Sequence, residues 1–266
     1  MLPFLIVFLA YIVLTPIELR LSGPAGRSRR ANLLMIVPLV IAGAVSDLAL
    51  VAVTSWAGDR GLGLLPALGW PIAGAAGVTA LGMDLGAYLG HRWRHQWPVL
   101  WRLHRTHHTD PDVDVTTTLR QHPLDIVMLG VISTATTLVL GPPAVAVAIW
   151  AAGSSAWGLF AHARIRMPLR VERAMATVVQ TPGTHRVHHA PERPLTDSNY
   201  GLVLSVWDRL FGTFSPPDPA QVTGLDTEDL ADRQSARAML ADPWRPTVAA
   251  APVAPRPAEQ PTPVPR

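Results

Sequence analysis

The stretch Leu81-Gly-Met-Asp84-Leu-Gly-Ala-Tyr88-Leu-Gly-His91-Arg-Trp-Arg-His95 decides the fold, because an apolar run rich in small residues leads without a break into two histidines. Asp84, Tyr88, His91 and His95 follow at intervals of four, three and four residues. At about 100° per residue these positions share one helical face. Downstream lie His104-Arg-Thr-His107-His108 and, much later, His185-Arg-Val-His188-His189. The three clusters hold eight of the chain's ten histidines, and the other two, His122 and His162, lie between the second and third clusters. Offsets of three and four return to one side of a helix, so each HxxHH is expected to offer three imidazoles to a common point. Imidazole ligates iron, zinc and copper readily, and so many at one site imply two metals rather than one.

Outward from these clusters, composition says where such a centre sits. The chain has 266 residues, of which 49% are hydrophobic and only 15% charged, well below the soluble norm of about 25% charged. Cysteine is absent, which excludes disulfides, thiolate zinc sites and iron–sulfur clusters. All 22 basic residues are arginine and the net charge is only +3. They flank apolar runs instead of forming a stripe, which points to a membrane surface and away from nucleic acid.

Four apolar regions are legible. Leu2–Leu19 lacks the basic start and small-residue cleavage site of a signal peptide and reads as a retained helix. Leu33–Trp56 is long enough to span a hydrocarbon core of about 30 Å. Leu62–Gly90 is rich in glycine and alanine, which suits close helix packing. Ile126–Phe160 is interrupted by Gly141-Pro142-Pro143 and is either a hairpin of two spans or a segment that only dips into the bilayer. Arginines gather at 20–30 and 91–122, whereas the Asp59-Arg60 loop and the Gly141-Pro142-Pro143 tip carry no excess. By the positive-inside rule the N-terminus is outside and the histidine clusters and C-terminus are cytoplasmic. The expected fold is therefore all-α, a polytopic membrane bundle with a cytoplasmic histidine-rich helical cap. N-terminal transmembrane helices occupy 1–80, a catalytic region 81–215, and a polar, Pro-rich tail 216–266, disordered from about Pro243.

Individual residues carry their own expectations. Asp84 is an intramembrane carboxylate, either a partner fixing the tautomer of a ligand imidazole or a polar packing residue. Arg102 and Arg105 read as snorkelling membrane anchors, and Asp110, Asp112 and Asp114 as a solvated turn. His122 and His162 bracket the fourth apolar region and join the ligand set by association with the clusters, His122 the less securely. Asp197 and Asn199, just after the third cluster, are candidates for groups that orient ligands or for a polar turn.

Asp84-x3-Tyr88-x2-His91-Arg92-x2-His95, Leu100-Trp101-Arg102-x-His104-x2-His107-His108, Thr181-Pro182-x2-His185-x2-His188-His189, Asn199-Tyr200-Gly201 and Trp207–Phe214 together resemble the fatty acid hydroxylase/sterol desaturase superfamily. The stretch from Thr116 to Gln121, with Glu172, is similar to the branch that includes alkylglycerol monooxygenase. The resemblance covers roughly residues 80–215. It implies two iron ions (zinc in their place in purified protein) held by histidines at the ends of a helical bundle, and O2-dependent hydroxylation or desaturation of a membrane lipid. No GxGxxG or Walker motif and no cysteine-ligated domain occurs, so electrons come from a separate reductase or a pterin-like donor. The rival readings are a metal transporter, which would spread ligands through its spans, and a zinc-binding membrane hydrolase, which needs about three ligands and an open position.

Overall fold

Prolines cut the apolar runs into helices. A computed structural model describes residues 2–22, 28–225 and 230–246. The first run forms α1 (Leu2–Ser22). The second, expected as one span, divides at Met35 into α2 (Arg29–Leu34) and α3 (Ile36–Gly58). Pro38 is the cause: its ring would clash with the carbonyl of Leu34, so it is tolerated only in the first turn of a new helix. The third run divides in the same way. A short α4 (Leu64–Ala67) precedes Pro71, and α5 (Ile72–Gln96) then continues past His91 and His95. Pro98 opens α6 (Pro98–His108), with Trp97 extended between the two helices.

The fourth region is a hairpin of two full helices, α7 (Pro123–Leu140) and α8 (Ala144–His162). Gly141 ends α7 at φ 63°, and a Cβ there would lie 2.1 Å from the Leu62 carbonyl oxygen, so both backbone angle and space demand glycine. That contact gathers the Asp59-Arg60 loop and the Gly141-Pro142-Pro143 tip at one end of the bundle. The histidines occupy the other end.

Helices α3, α7 and α8 are long and apolar enough to cross a membrane. In the bundle α3 lies along α7, α1 along α8, and α5 against both α7 and α8. Close approach of α5 and α7 rests on Gly82, Gly86 and Gly90, one per turn. A Cβ on each would sit 2.6, 2.4 and 2.5 Å from Leu140, Thr136 and Ile132 respectively. Small residues thus let two helices meet where lipid provides no hydrophobic drive. Val37, Ile41, Val45, Leu48 and Val51 on α3 and Val139 on α7 project outward, an apolar exterior suited to hydrocarbon.

Short elements complete the cap: α9 (Leu169–Met175), α10 (Pro182–His188), α11 (Arg193–Thr196), α12 (Val206–Leu210) and α13 (Ala236–Ala241). Among the described residues no strand occurs, only an isolated antiparallel bridge between Val179 and Leu204. Part of the tail is built into the fold, the described residues running to 246, a little past Pro243. The turns Leu230–Arg233 and Asp242–Trp244 are ordered together with α13. Asp242 is buried, accepting from Arg105 Nε at 3.0 Å and from Thr106 Oγ1 at 3.2 Å, and pairing with Arg233. Arg105 is thus a buried ion-pair partner and not a headgroup anchor; the apparent tail supplies its carboxylate. The expected disorder of 247–266 lies outside the described residues.

Candidate metal centre

Four helix ends meet to build the site. The last turns of α5 bring His91 and His95, and α6 brings His104, His107 and His108. The final residue of α8 is His162. Thr181 caps α10 through a reciprocal pair of bonds with Thr184, and Pro182 sets its first turn, so His185 and His188 project from a well-started helix with His189 at its end. Nine histidines form two buried groups. One comprises His91, His95, His104, His108 and His188; the other His107, His162, His185 and His189, with the ligand atoms of each group within 4.8 Å of one another.

The HxxHH motifs therefore do not present three imidazoles to one point, as their spacing suggested. Residues four apart (His104 and His108; His185 and His189) stay together. The residue three along (His107; His188) joins the opposite group. The reason is angular: offsets of three and four differ by about 100° around the helix. With α6 and α10 facing one another, each motif straddles the gap and contributes to both groups. His122 belongs to neither. Its Nδ1 accepts from the Leu124 amide at 3.2 Å, so it caps α7.

Tautomers follow from the outer nitrogens. The Nδ1 atoms of His91, His107, His162 and His188 face the carbonyls of Tyr200, Arg120, Gly158 and Ser198 at 2.9, 3.2, 2.7 and 2.7 Å. A carbonyl only accepts, so these nitrogens carry the proton and Nε2 keeps its lone pair. His95 Nδ1 faces Asp197 at 3.3 Å and His104 Nδ1 faces Asp125 at 2.9 Å. Inside, His107 and His162 Nε2 approach to 3.0 Å, and His162 and His185 Nε2 to 2.9 Å. Between the doubly anchored His107 and His162 no proton is left to bridge the gap, so two lone pairs face each other. His95 and His188 Nε2 are buried without any partner. Such convergence is repulsive until a cation sits between the nitrogens, and a neutral imidazole set suits a divalent transition metal.

Electrostatics agrees. Burial pushes His188 down to about 3, although its bond to Ser198 opposes the shift. Burial, reinforced by neighbouring imidazoles, holds His107, His108, His185 and His189 well below the ordinary histidine value. These imidazoles are therefore neutral at physiological pH, the state that metal binding would require.

Other expectations are redistributed. Asp84 meets no imidazole; its carboxylate accepts from the Val203 and Leu204 amides at 3.2 and 3.1 Å and from Trp207 Nε1 at 2.9 Å. It anchors the loop before α12, and Tyr88 below it stacks on Phe211 at 5.3 Å. Asn199, at φ 52°, is also a loop organiser, donating to the Thr184 and Ser215 carbonyls at 3.0 and 2.9 Å. Asp197 does reach one of the converging histidines, His95. Asp110 and Asp114 are not a solvated turn: both are buried. Asp110 accepts from Asn32 and Thr117 at 2.9 and 2.7 Å, and Asp114 caps the turn Val115–Leu119.

Sequence reasoning passed over Asp125. Its Oδ2 lies 2.9 Å from His104 Nδ1 and 3.0 Å from Arg94 Nη1, all three groups buried. Lying in the first turn of α7, it resembles any acidic residue placed there by the helix dipole, and only packing of α7 against α5 and α6 reveals its target.

Residues 76–213, which contain all nine converging histidines, match the fatty acid hydroxylase family. The chain belongs to that family. It is 33% identical over 145 residues to alkylglycerol monooxygenase of Homo sapiens, covering 54% of this chain and 32% of the relative. To ornithine lipid hydroxylase OlsE of Rhizobium tropici it is 32% identical over 156 residues, covering 57% and 45%. With Delta(7)-sterol 5(6)-desaturase of Saccharomyces cerevisiae it shares 29% identity over 136 residues, covering 51% and 34%. The chain thus spans less than half the length of each of these relatives. No solved structure matches.

Proposed function

We propose that the chain is an integral membrane oxygenase that hydroxylates or desaturates a lipid with O2 and two external electrons. The observation that carries this reading is the convergence of nine buried Nε2 atoms in two adjacent groups. One ion would be held by His91, His95, His104, His108 and His188, and the other by His107, His162, His185 and His189. Two iron ions bound there would supply the O2-activating chemistry that side chains cannot. The chain's own residues do the rest. Main-chain carbonyls and the Asp125 and Asp197 carboxylates hold the Nδ1 protons and aim the rings. Burial of all nine histidines keeps bulk water from the centre. Overall, a C–H bond, O2, two electrons and two protons give an alcohol and water. Desaturation consumes the same inputs and gives a double bond and two waters. The electrons come from a separate reductase or pterin-like donor. The relatives are named for an alkylglycerol, an ornithine lipid and a sterol, and the proposed substrate is an acyl, ether, sterol-like or isoprenoid lipid.

The test is a comparison of whole-cell lipid profiles in a host expressing the parent or a His188→Ala variant. The parent should yield a lipid that has gained one oxygen or lost two hydrogens, absent from the variant. Identical profiles across those four lipid classes, with both proteins present in the membrane and the parent metal-loaded, would sink the proposal.

The same reading puts the histidine end in the cytoplasm of a bacterial inner membrane. Exposed Arg20, Arg30, Arg102, Arg166, Arg170 and Arg173 flank the helix ends on that side, against Arg60 alone at the other, the asymmetry expected of a cytoplasmic face. In the cysteine-free chain, an impermeant maleimide applied to intact spheroplasts should label Asp59→Cys and spare Arg30→Cys. Labelling in the opposite pattern would reverse the orientation and the route of electron delivery.

A further inference from the structure

The last-turn carbonyls of α6 and α10 have no intrahelical partner and must be met from elsewhere. Two of them are met by a segment that lies beyond the region matching the family. The Gly224 amide donates to the His189 carbonyl at 3.0 Å, and the Leu225 amide donates to the His108 carbonyl at 3.1 Å. Consecutive amides of one segment thus grip the final residue of each HxxHH motif. These two histidines belong to different groups, and their rings stack with centroids 4.5 Å apart. Thr223 Oγ1 adds a bond to the Pro111 carbonyl at 2.9 Å. Gly224 has φ 94°, and a Cβ there would lie 3.0 Å from Pro111 Cα and 3.2 Å from the Asp110 carbonyl oxygen, so the seat accepts only glycine without strain. Further along, Gln234 Nε2 donates to the Thr109 carbonyl at 3.0 Å, tethering the far side of the segment to the same helix end.

We propose that Thr223–Leu225 is a positioning strap that sets the separation of the two HxxHH helices, and with it the spacing of the two ion sites. This rests on the two-ion reading of the centre. Covalent geometry holds neighbouring amide nitrogens within about 4 Å of each other, so bonding one to each helix limits how far the two helix ends can part. A two-metal centre tolerates errors of only about 0.5 Å in ligand placement, which single-helix caps would not coordinate between α6 and α10.

The experiment uses the full chain loaded with cobalt(II), whose loss to a chelator and spin coupling are both measurable. Leu225→Ala keeps the amide and should behave as the parent. Leu225→Pro removes the donor to His108 and drives Gly224 toward extended angles, and Gly224→Val cannot hold the observed φ. Both should release cobalt about tenfold faster or more and show altered coupling between the ions. Amide exchange on the unsubstituted chain provides a second arm that needs neither variants nor metal: Gly224 and Leu225 should exchange slowly even in the metal-free protein. Rapid exchange at both amides overturns the strap, as does parental cobalt release and coupling in both disruptive variants. Fewer than two cobalt ions in the parent would count against the two-ion reading instead, leaving amide exchange to judge the strap, as it does where a variant fails to fold.

Discussion

His107→Ala and His108→Ala, adjacent substitutions on one helix, are expected to weaken different ions. His107 belongs to the four-histidine group with His162, His185 and His189, and His108 to the five-histidine group. Either loss should reduce turnover to below about 1% of the parent, because even a residue that merely orients a ligand is worth about 10- to 100-fold. The metal readout separates the two variants. His107→Ala leaves three imidazoles and should lose its ion outright, falling toward one metal per chain. His108→Ala leaves four and should retain an ion with reduced affinity. His162→Ala should copy His107→Ala, and His188→Ala should copy His108→Ala, even though His188 and His189 are neighbours in sequence. His122→Ala should bind both ions and turn over normally, its role being to cap α7. Elemental analysis with single-turnover assays on the five variants decides the matter. Equal metal loss in His107→Ala and His108→Ala would refute the division into two groups, and an inactive, metal-poor His122→Ala would show a missing ligand.

The converging histidines were legible from spacing because helical periodicity is a local property, and His91 with His95, or His104 with His108, obey it. Their division into two groups was not, because it depends on how α10 faces α6, a relation set by loops and by the Gly224–Leu225 bonds far along the chain. Aspartates show the same limit more sharply. Asp84 shares a helical face with His91, but two turns of rise carry it away from the histidines to the loop at Val203 and Leu204. Asp125 lacks any local sign of function and still reaches His104. Asp110 and Asp114 looked solvated because aspartate-rich segments usually are; in the fold Asn32 of α2 reaches Asp110, and Thr116 and Thr117 of the following turn bond to Asp114 and Asp110. Proline and glycine act sterically and locally, yet of the three breaks only the Gly141-Pro142-Pro143 interruption was read from the sequence; those that Pro38 and Pro71 set before Ile36 and Ile72 lay inside runs taken as continuous.

Asp125→Asn is expected to damage the centre almost as severely as loss of a ligand, without removing one. The native carboxylate receives His104 Nδ1 and Arg94 Nη1 on the same oxygen, which fixes the His104 tautomer, directs its Nε2 at the five-histidine group and neutralises a buried guanidinium. Asparagine retains the shape but removes the charge. Its amide can donate where acceptance is required, so His104 is free to turn or to adopt the other tautomer. Affinity for the ion of the five-histidine group should fall about 10- to 100-fold. Arg94 is left as a buried, uncompensated cation, and breaking a buried pair in this manner costs about 3–5 kcal/mol, so thermal stability in detergent should drop as well. The two effects can be separated. In Asp125→Asn/Arg94→Met the stranded cation is gone, and the melting temperature should recover most of its loss. Metal affinity should not recover, because His104 still lacks the charged, acceptor-only carboxylate that fixes its tautomer. Competitive chelation together with melting curves on both variants provides the test. Should the double variant regain parental affinity, Asp125 would be a counter-ion for Arg94 alone and its hold on His104 would be incidental.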